Sequence, residues 1–559
     1  MKKLARLLTL TLALTLVITT SAMAIELNSN DEPKEDPFGK YDPPITVTTV
    51  HTASDNYFWF PEGDDISNNV YTRRWHDQLG IDYQFLWTAP MSQGYDKLNV
   101  QIASGELPDF FQVSTAQFEM LMQADALEDL TGVINDYATP FTKKYMSGDY
   151  QGMLDAVTRN EKIYGIPSGT SYHDSSYLMW IRTDWLENVG MEVPTTMEEL
   201  EAVMEAFVHN DPDQNGMDDT YAIATSGTDM PYNIALFNMF GAYPYVWAKD
   251  GEDRLQQGMF GPDYRDNLKQ AIETLAAWYS KGFLHPDVAT YDDTMMEDDI
   301  YTDKCGILFG TAWPGFWPLN NHVLINPAAK WRPYALVSST EEPAKISTTL
   351  CNIDVVLVAR KGVEHPEALV KMVNLYHALN NDPKMMEFEE FNTDPIDSNQ
   401  IFLAYPLYVY NPSFNYDGYL VISKAMETEE ATDLGSGYEL YYNQAISYRD
   451  NNDPNGFPAY VTYSPEGAFS VQEYYIRNKL MKVNEYTAPY SNLRAEADPI
   501  VDKAFVTMML EIVTGANDSS KFDEFIALYD DVYADALEEA AEWFQEQGCV
   551  SLQEAFDAE

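Results

Sequence analysis

Cysteine is scarce in this chain: Cys305, Cys351 and Cys549 are the only three among 559 residues. Three separated cysteines make neither a disulfide framework nor a metal pattern. Cys305 and Cys351 are the pair able to bond in an oxidising compartment; three unpaired thiols are the other reading. Cations are also few, 34 Lys and Arg against 88 Asp and Glu, for a formal net charge of −54. A field of that sign repels nucleic acid and anionic lipid headgroups. It also disfavours a polyanionic ligand unless a local basic pocket overrides it, and it keeps an exported protein soluble. Beyond the N-terminus there is no apolar run long enough to span a bilayer. Catalytic signatures are missing as well: no Gly-x-Ser-x-Gly, no His-Glu-x-x-His, no phosphate-cradling Gly loop. The eight His residues show no pair at ligand spacing. Carboxylate pairs such as Asp292-Asp293 and Asp298-Asp299 mean little in so acidic a chain, because a glycosidase's two carboxyls are defined across a cleft and not along the sequence. No internal repeat is present.

The N-terminus reads as a secretory signal peptide over residues 1–24. Lys2, Lys3 and Arg6 precede the apolar run Leu7 to Ile18, and Ser21-Ala22-Met23-Ala24 supplies small residues for cleavage. The protein is therefore expected outside the cytoplasm: extracellular or surface-associated, or periplasmic where there is an outer membrane. Residues 25–44 are polar, acidic and Pro-rich without apolar periodicity, and read as a flexible acidic linker.

From Ile45 onward, strand-like and helix-like segments alternate. Ile45 to Val50 is β-branched. Tyr71, Trp75 and Leu79 repeat at helical spacing before Gly80. Ile81 to Trp87 is a second strand, and Leu98 and Ile102 mark a helix closed by Gly105. Tyr177 to Arg182 and Cys305 to Gly310 are short apolar runs expected as buried strands. Leu200, Val203, Met204 and Phe207 line one helix face, with Thr195–Glu198 or Thr196–Glu199 at capping-box spacing. Leu350 to Val358 is strand-like and Pro366 to Leu379 helix-like. Between about 381 and 484 the periodicity is poor. Helical stripes return at Val501, Phe505, Met508 and Ile512, and again from Phe522. This alternation is the pattern of open α/β sheets, whose ligands sit beyond the strand carboxyl ends. That rule points to the Tyr57–Phe60 loop and to the residues after Asp109.

Asp211-Pro212-Asp213-Gln214-Asn215-Gly216-Met217-Asp218-Asp219 places oxygen-bearing side chains at relative positions 1, 3, 5 and 9, with Gly at 6. A loop wraps a hard cation in this way. The side chains of Asp211, Asp213, Asn215 and Asp219 and the carbonyl of Met217 are expected to hold a structural calcium ion. Ala222 at position 12 replaces the bidentate Glu of a sensor loop. The competing reading is an Asp/Asn-rich turn that binds nothing, as expected for Asp450 to Gly456.

Several of these segments carry a family resemblance. Ile166-Pro167 before an apolar strand, Trp185-Leu186, Val193-Pro194-Thr195-Thr196 and the Asp211 loop together resemble the extracellular solute-binding proteins of ABC importers. The closest subgroup is the carbohydrate type, similar to alginate- and maltose-binding proteins. Ser104-Gly105-Glu106-Leu107-Pro108-Asp109, the Cys305–Gly310 strand leading to Trp313, and Glu511 to Gly515 strengthen it. The resemblance implies a two-lobe periplasmic-binding-protein-like α/β fold, each lobe an open sheet flanked by helices, with a helical C-terminus. Residues 45–166 plus about 347–395 would form one lobe, and 167–346 plus about 396–559 the other. Lipid-anchored relatives carry a Cys after the signal; Ile25 stands there, so no lipid is expected. The implied function is capture of a carbohydrate, an oligosaccharide, by a monomer that delivers it to an ABC permease without catalysis.

Sugar rings stack on aromatic faces while polar side chains bond their hydroxyls. Tyr57, Trp59, Trp313 and Trp317 fall on predicted loops, and the resemblance places Asp109, Tyr172, Asn238 and Phe240 at segments that line the family's cleft; these eight are the candidate ligand residues. A core role competes for each tryptophan. A secreted carbohydrate-active enzyme, and a surface module holding glycans or peptides without transport, are the alternatives.

Overall fold

The structure, a computed structural model, describes residues 25–53, 62–174, 177–380, 407, 409–432, 434–488 and 491–558. The strands that frame the molecule are β1 (Ile45–Ala53), β2 (Ile81–Pro90), β3 (Phe110–Val113), β4 (Ile166–Ser171), β5 (Leu178–Arg182), β6 (Tyr221–Ala224), β7 (Cys305–Gly310), β8 (Trp331–Tyr334), β9 (Ile346–Thr348), β10 (Cys351–Ala359) and β11 (Met481–Val483). The helices used below are α1 (Met197–His209), α2 (Phe414–Thr428), α3 (Ala468–Arg477) and α4 (Asn492–Val513).

Two separate hydrophobic cores define two lobes. The first gathers Leu27, Val47 to Ile166, and Val356 to Val409. The second gathers Leu178 to Ile346 and Tyr419 to Phe556. In the first lobe β1 and β2 pair in parallel, and a second sheet runs β3-β10-β4 with β10 antiparallel to both neighbours. In the second, the order is β8-β5-β7-β6. β5 is an interior strand of that sheet and all five of its residues are buried, which is why its sequence is a continuous apolar run and not an alternation. A short parallel pair, β9 with β11, completes the second lobe.

Helix entry follows local chemistry. Thr196 caps α1 by accepting from the Glu199 amide at 3.2 Å, while the Glu199 carboxylate accepts from the Thr195 amide at 2.8 Å and hydroxyl at 2.7 Å. Of the two capping alternatives in the sequence, Thr196–Glu199 is the one used, and Thr195 bonds Glu199 instead of Glu198. Leu200, Val203, Met204 and Phe207 are buried as the stripe requires.

Residues 25–44 correct the expectation of a flexible linker. They form no helix or strand, but they are strapped onto the first lobe. Leu27 is buried. The Tyr41 amide donates to the Leu79 carbonyl at 2.9 Å. Lys143 and Lys371 donate to the Asp31 and Gly39 carbonyls, each at 2.9 Å. Missing periodicity excludes regular structure; it says nothing about partners supplied by other segments. The stretch beyond residue 409, poorly patterned in sequence, is helical, with α2, Ser436–Asn451, Phe457–Tyr463 and α3 rich in tyrosine. Tyrosine packs with its ring and bonds with its hydroxyl, which blurs the apolar stripe. Cys305 and Cys549 are free thiols, the former buried. No described helix is long and apolar enough to cross a membrane.

Candidate functional site

Register decides where a ligand can meet both lobes. In the second lobe Gly310 at the end of β7 pairs with Leu178 at the start of β5, Tyr334 at the end of β8 pairs with Met179, and Ala224 at the end of β6 lies beside Leu308. One sheet edge therefore collects Tyr177, Thr225 and the Thr311–Trp313 turn. In the first lobe Val113 at the end of β3 pairs with Val356, and Ser171 at the end of β4 pairs with Cys351. That edge collects Ser114, Asn352, Asp354 and Ser168 to Ser171.

Among the described residues the chain passes between the two cores at 167–177, 347–355 and 410–418. The first crossing is laddered to the second through β4 and β10 and bonded to the third. The Ser171 hydroxyl donates to the Pro412 carbonyl at 2.9 Å, the Tyr410 amide to the Ser168 hydroxyl at 3.0 Å, and the Asn415 amide group to Asp174 Oδ2 at 2.9 Å. Gly169 lies so close to the bulged β10 that a Cβ there would stand 1.8 Å from the Asn352 carbonyl oxygen; only glycine allows that approach.

Carboxyls and rings concentrate at this junction. Asp174, on the first crossing, is only 8% exposed and its Oδ1 has no hydrogen-bond partner. Burial pushes its pKa up to about 7, against the lowering bonds from Asn415 and the Tyr416 backbone. Asp354, on the second crossing, is open to solvent, yet surrounding protein pushes it up to about 6. Tyr410, on the third, has its phenol raised by burial and by the nearby Asp354 and Asp174. Accessibility combined with a large burial shift marks a concave position. Tyr245 shows the same combination: its residue is 64% exposed, its phenol is pushed up to about 12, and Tyr177, Asp502 and Tyr232 are neighbours. Asp229, beside Tyr177, is raised by burial and accepts from Thr225 at 2.9 Å and Asn233 at 3.0 Å.

Of the residues singled out in the sequence, Tyr57 and Trp59 lie outside the described residues. Trp313 stands at the second lobe's edge, half-buried, with its ring 5.9 Å from Phe469 and 6.1 Å from Phe316. Tyr172 opens the first crossing, its ring 3.9 Å from His173, which lies 4.8 Å from Tyr416. Trp317 is exposed and donates its indole N–H to Glu297 at 2.8 Å. Asp109 is committed within the first lobe: one oxygen accepts from the Thr48 amide and hydroxyl at 2.8 and 2.7 Å, the other from Arg360 at 2.8 and 3.1 Å. Asn238 is buried and bridges to Ser347 through two bonds, its oxygen accepting from the amide at 2.8 Å and its amide group donating to the hydroxyl at 2.9 Å. Phe240 is buried in the second core. Asp174, Tyr177, Tyr245, Asp354 and Tyr410 are the additions. Asp354 had a sequence signal, a carboxylate inside the β-branched run Ile353 to Val358. Tyr245 had a weaker one, an aromatic after Pro244.

The Asp211 loop follows α1 and feeds β6 at the end opposite the junction. Gly216 has φ +78°, and its amide donates to the Asp211 carboxylate at 3.1 Å. The Asn215 amide group donates to Asp213 at 2.7 Å and to Asp219 at 3.2 Å, and its oxygen accepts from the Met217 amide at 2.6 Å. Asp213 is raised by burial, and also by Asp211 and Asp219 beside it. The carboxylates have converged, and a neutral amide sits between two of them. As the loop stands, no group of three His, Cys, Asp or Glu among the described residues is gathered tightly enough to hold a metal ion. An all-oxygen set of this composition suits calcium.

A cavity of about 430 Å³ lies between residues 193–196 and 334–344. Its polar groups turn to each other, Thr195 to Glu199 and Ser338 to Thr340, so they do not converge on a ligand.

The model of the family described as bacterial extracellular solute-binding protein matches residues 79–376. The chain is 29% identical over 245 residues to lipoprotein LipO of Bacillus subtilis (strain 168), covering 42% of this chain and 44% of LipO. It is 25% identical over 277 residues to the fructooligosaccharide ABC transporter substrate-binding protein FusA of Streptococcus pneumoniae serotype 4, covering 46% of this chain and 48% of FusA. The chain thus spans somewhat under half the length of these curated relatives. Two solved structures resemble it over nearly their whole length. The alginate-binding protein AlgQ2 without calcium ion aligns at TM-score 0.57 and 16% identity, covering 94% of this chain and 100% of AlgQ2. A FusA EF-hand mutant in complex with fructo-nystose aligns at TM-score 0.58 and 15% identity, covering 92% and 99%. These likenesses show the two-lobe periplasmic-binding-protein-like fold.

Proposed function

Because this chain belongs to the bacterial extracellular solute-binding protein family, we propose that it captures an oligosaccharide between its lobes and delivers it unchanged to an ABC importer. The observation that carries this reading is the junction itself. Asp174, Asp354 and Tyr410 each come from a different crossing, so a ligand bound there touches every strand that must bend when the lobes close. Exposed rings at Tyr232 and Tyr245 and half-buried ones at Tyr177 and Trp313 supply flat faces for sugar C–H groups. Carboxyls and the Asn415 amide supply acceptors and donors for hydroxyls. Closure around the ligand then presents one shape to a permease. The names of FusA and AlgQ2 support a carbohydrate over a peptide.

Calcium belongs to the same proposal. Asp211, Asp213, Asn215 and Asp219 with the Met217 carbonyl would hold it, the Asn215 amide turning its oxygen inward. The ion would neutralise carboxylates that otherwise repel and would hold the loop; it takes no part at the junction. Export with removal of residues 1–24, no lipid on Ile25 and a monomeric state complete the reading.

The test is calorimetry against an oligosaccharide panel, with the glycan recovered afterwards and weighed by mass spectrometry. Saturable binding of an intact glycan is the expected result. A shortened or hydrolysed glycan would make the protein an enzyme instead.

A further inference from the structure

We infer that the junction takes a glycan free of acidic groups, neutral or amine-bearing, and rejects oligouronates. This rests on the carbohydrate reading above and narrows it. Asp174 leaves Oδ1 buried and without a donor, and Asp417 is close to it. Asp354 stands open on the second crossing. Asp229 lies beside Tyr177, and Asp502 beside Tyr245.

The described cations near these edges are committed elsewhere. Arg360 is held by Asp109 at 2.8 Å. Arg477 is paired with Glu473. Arg494 lies over the rings of Trp247 and Tyr486 at 5.8 and 5.4 Å. Arg494 also lines a cavity with Ile353 of the second crossing, but one ring-stacked guanidinium against Asp174, Asp354, Asp229 and Asp502 does not make the basic pocket that would reverse the repulsion of the strongly negative chain.

The bonding chemistry points the same way. A bare carboxyl oxygen needs a donor, which a sugar hydroxyl or an ammonium provides. A uronate carboxylate accepts only, so it would add an acceptor where Asp174 Oδ1 already lacks a partner. Aromatic rings with carboxylates at their rims also favour a cation over an anion. A site of fixed polarity discriminates most strongly against a ligand that leaves its groups unpaired.

The experiment offers the full exported chain an equimolar pool of neutral, amine-bearing and uronate oligosaccharides of matched length. Alginate and polygalacturonate oligomers are included beside their carboxyl-reduced counterparts, and native mass spectrometry identifies what is retained. Retained masses should belong to the neutral and amine-bearing classes, with uronates at least about 100-fold weaker. Asp354→Asn, at an exposed position that leaves folding intact, should narrow that ratio about tenfold. Uronates retained as well as neutral oligomers would overturn the inference while leaving the carbohydrate reading in place. An unchanged ratio in the folded Asp354→Asn variant would also overturn it. If no glycan of any class is retained, the carbohydrate reading itself fails, and this inference with it.

Discussion

Tyr245 shows how much a single residue carries. Its backbone is held at φ +60°, a conformation that a bulky side chain enters only under constraint. The ring it presents is exposed and surrounded by Tyr177, Tyr232 and Asp502. Tyr245→Ala should weaken glycan binding by about 1–3 kcal/mol, the range for a lost stacking contact, with little change in Tm because the ring buries little. Tyr245→Gly should lose the same affinity and melt above the Ala variant, since glycine relaxes the left-handed backbone. Calorimetry and melting curves check both; unchanged affinity would place the ring outside the ligand path. Asp174 makes a prediction in pH. Its folded pKa is about 7, against about 3.9 in an unfolded chain. Between those values the native state holds a proton that the unfolded chain has released. Its contribution to stability is therefore fullest at low pH and declines as pH rises through this window. Asp174→Asn should remove that decline, so that in urea titrations the variant gains on the parent between about pH 4 and pH 7.

Two elements without regular secondary structure are set by their partners. In the Asp211 loop the Asn215 amide group bridges Asp213 and Asp219, while Asp211 accepts from the Gly216 amide. Chelation should lower the Tm and added calcium should restore it, because a metal bound to the native state alone stabilises by mass action. Asp213→Ala should abolish this dependence and leave glycan affinity at saturating calcium nearly unchanged, since the loop joins β6 at its far end. The strap 25–44 gives the second case. Its contacts with Leu79, Lys143, Glu367 and Lys371 lie wholly within the first lobe. A chain beginning at Pro44 should melt several degrees lower than one beginning at Ile25, as expected for a loss of about 1–3 kcal/mol of buried contact. A true tether would leave the melting curve where it was.

At the scale of the molecule, two cores joined by three crossings make an assembly able to bend at one place. The Asp174, Asp354 and Asn415 region is where the crossings touch, so ligand contact and lobe closure share the same residues. Bound glycan should shrink the radius of gyration measured by small-angle scattering and raise the Tm together. A Tm rise without compaction would mean that the lobes are already closed before the ligand arrives.

What the sequence determined by itself was everything that repeats or closes locally. β5 and β7 were visible as short apolar runs because both of their faces are buried. The Thr195-Thr196 cap, the Gly216 turn and the α/β alternation were visible because spacing within one segment sets them. The family was visible for the same reason, since its motifs are local. The site itself depended on tertiary structure. Asp109 and Asn238 look like free polar groups in sequence, but Arg360 lies 251 residues from the first and Ser347 lies 109 residues from the second. Asn415 meets Asp174, and Tyr410 comes near both Asp174 and Asp354, only when the three crossings pack together, a contact between segments that no local period records. The strap was missed because its order is borrowed from Leu79, Lys143 and Lys371. Local spacing sets secondary structure, but the pairing of distant polar groups is decided where the chain crosses between its cores.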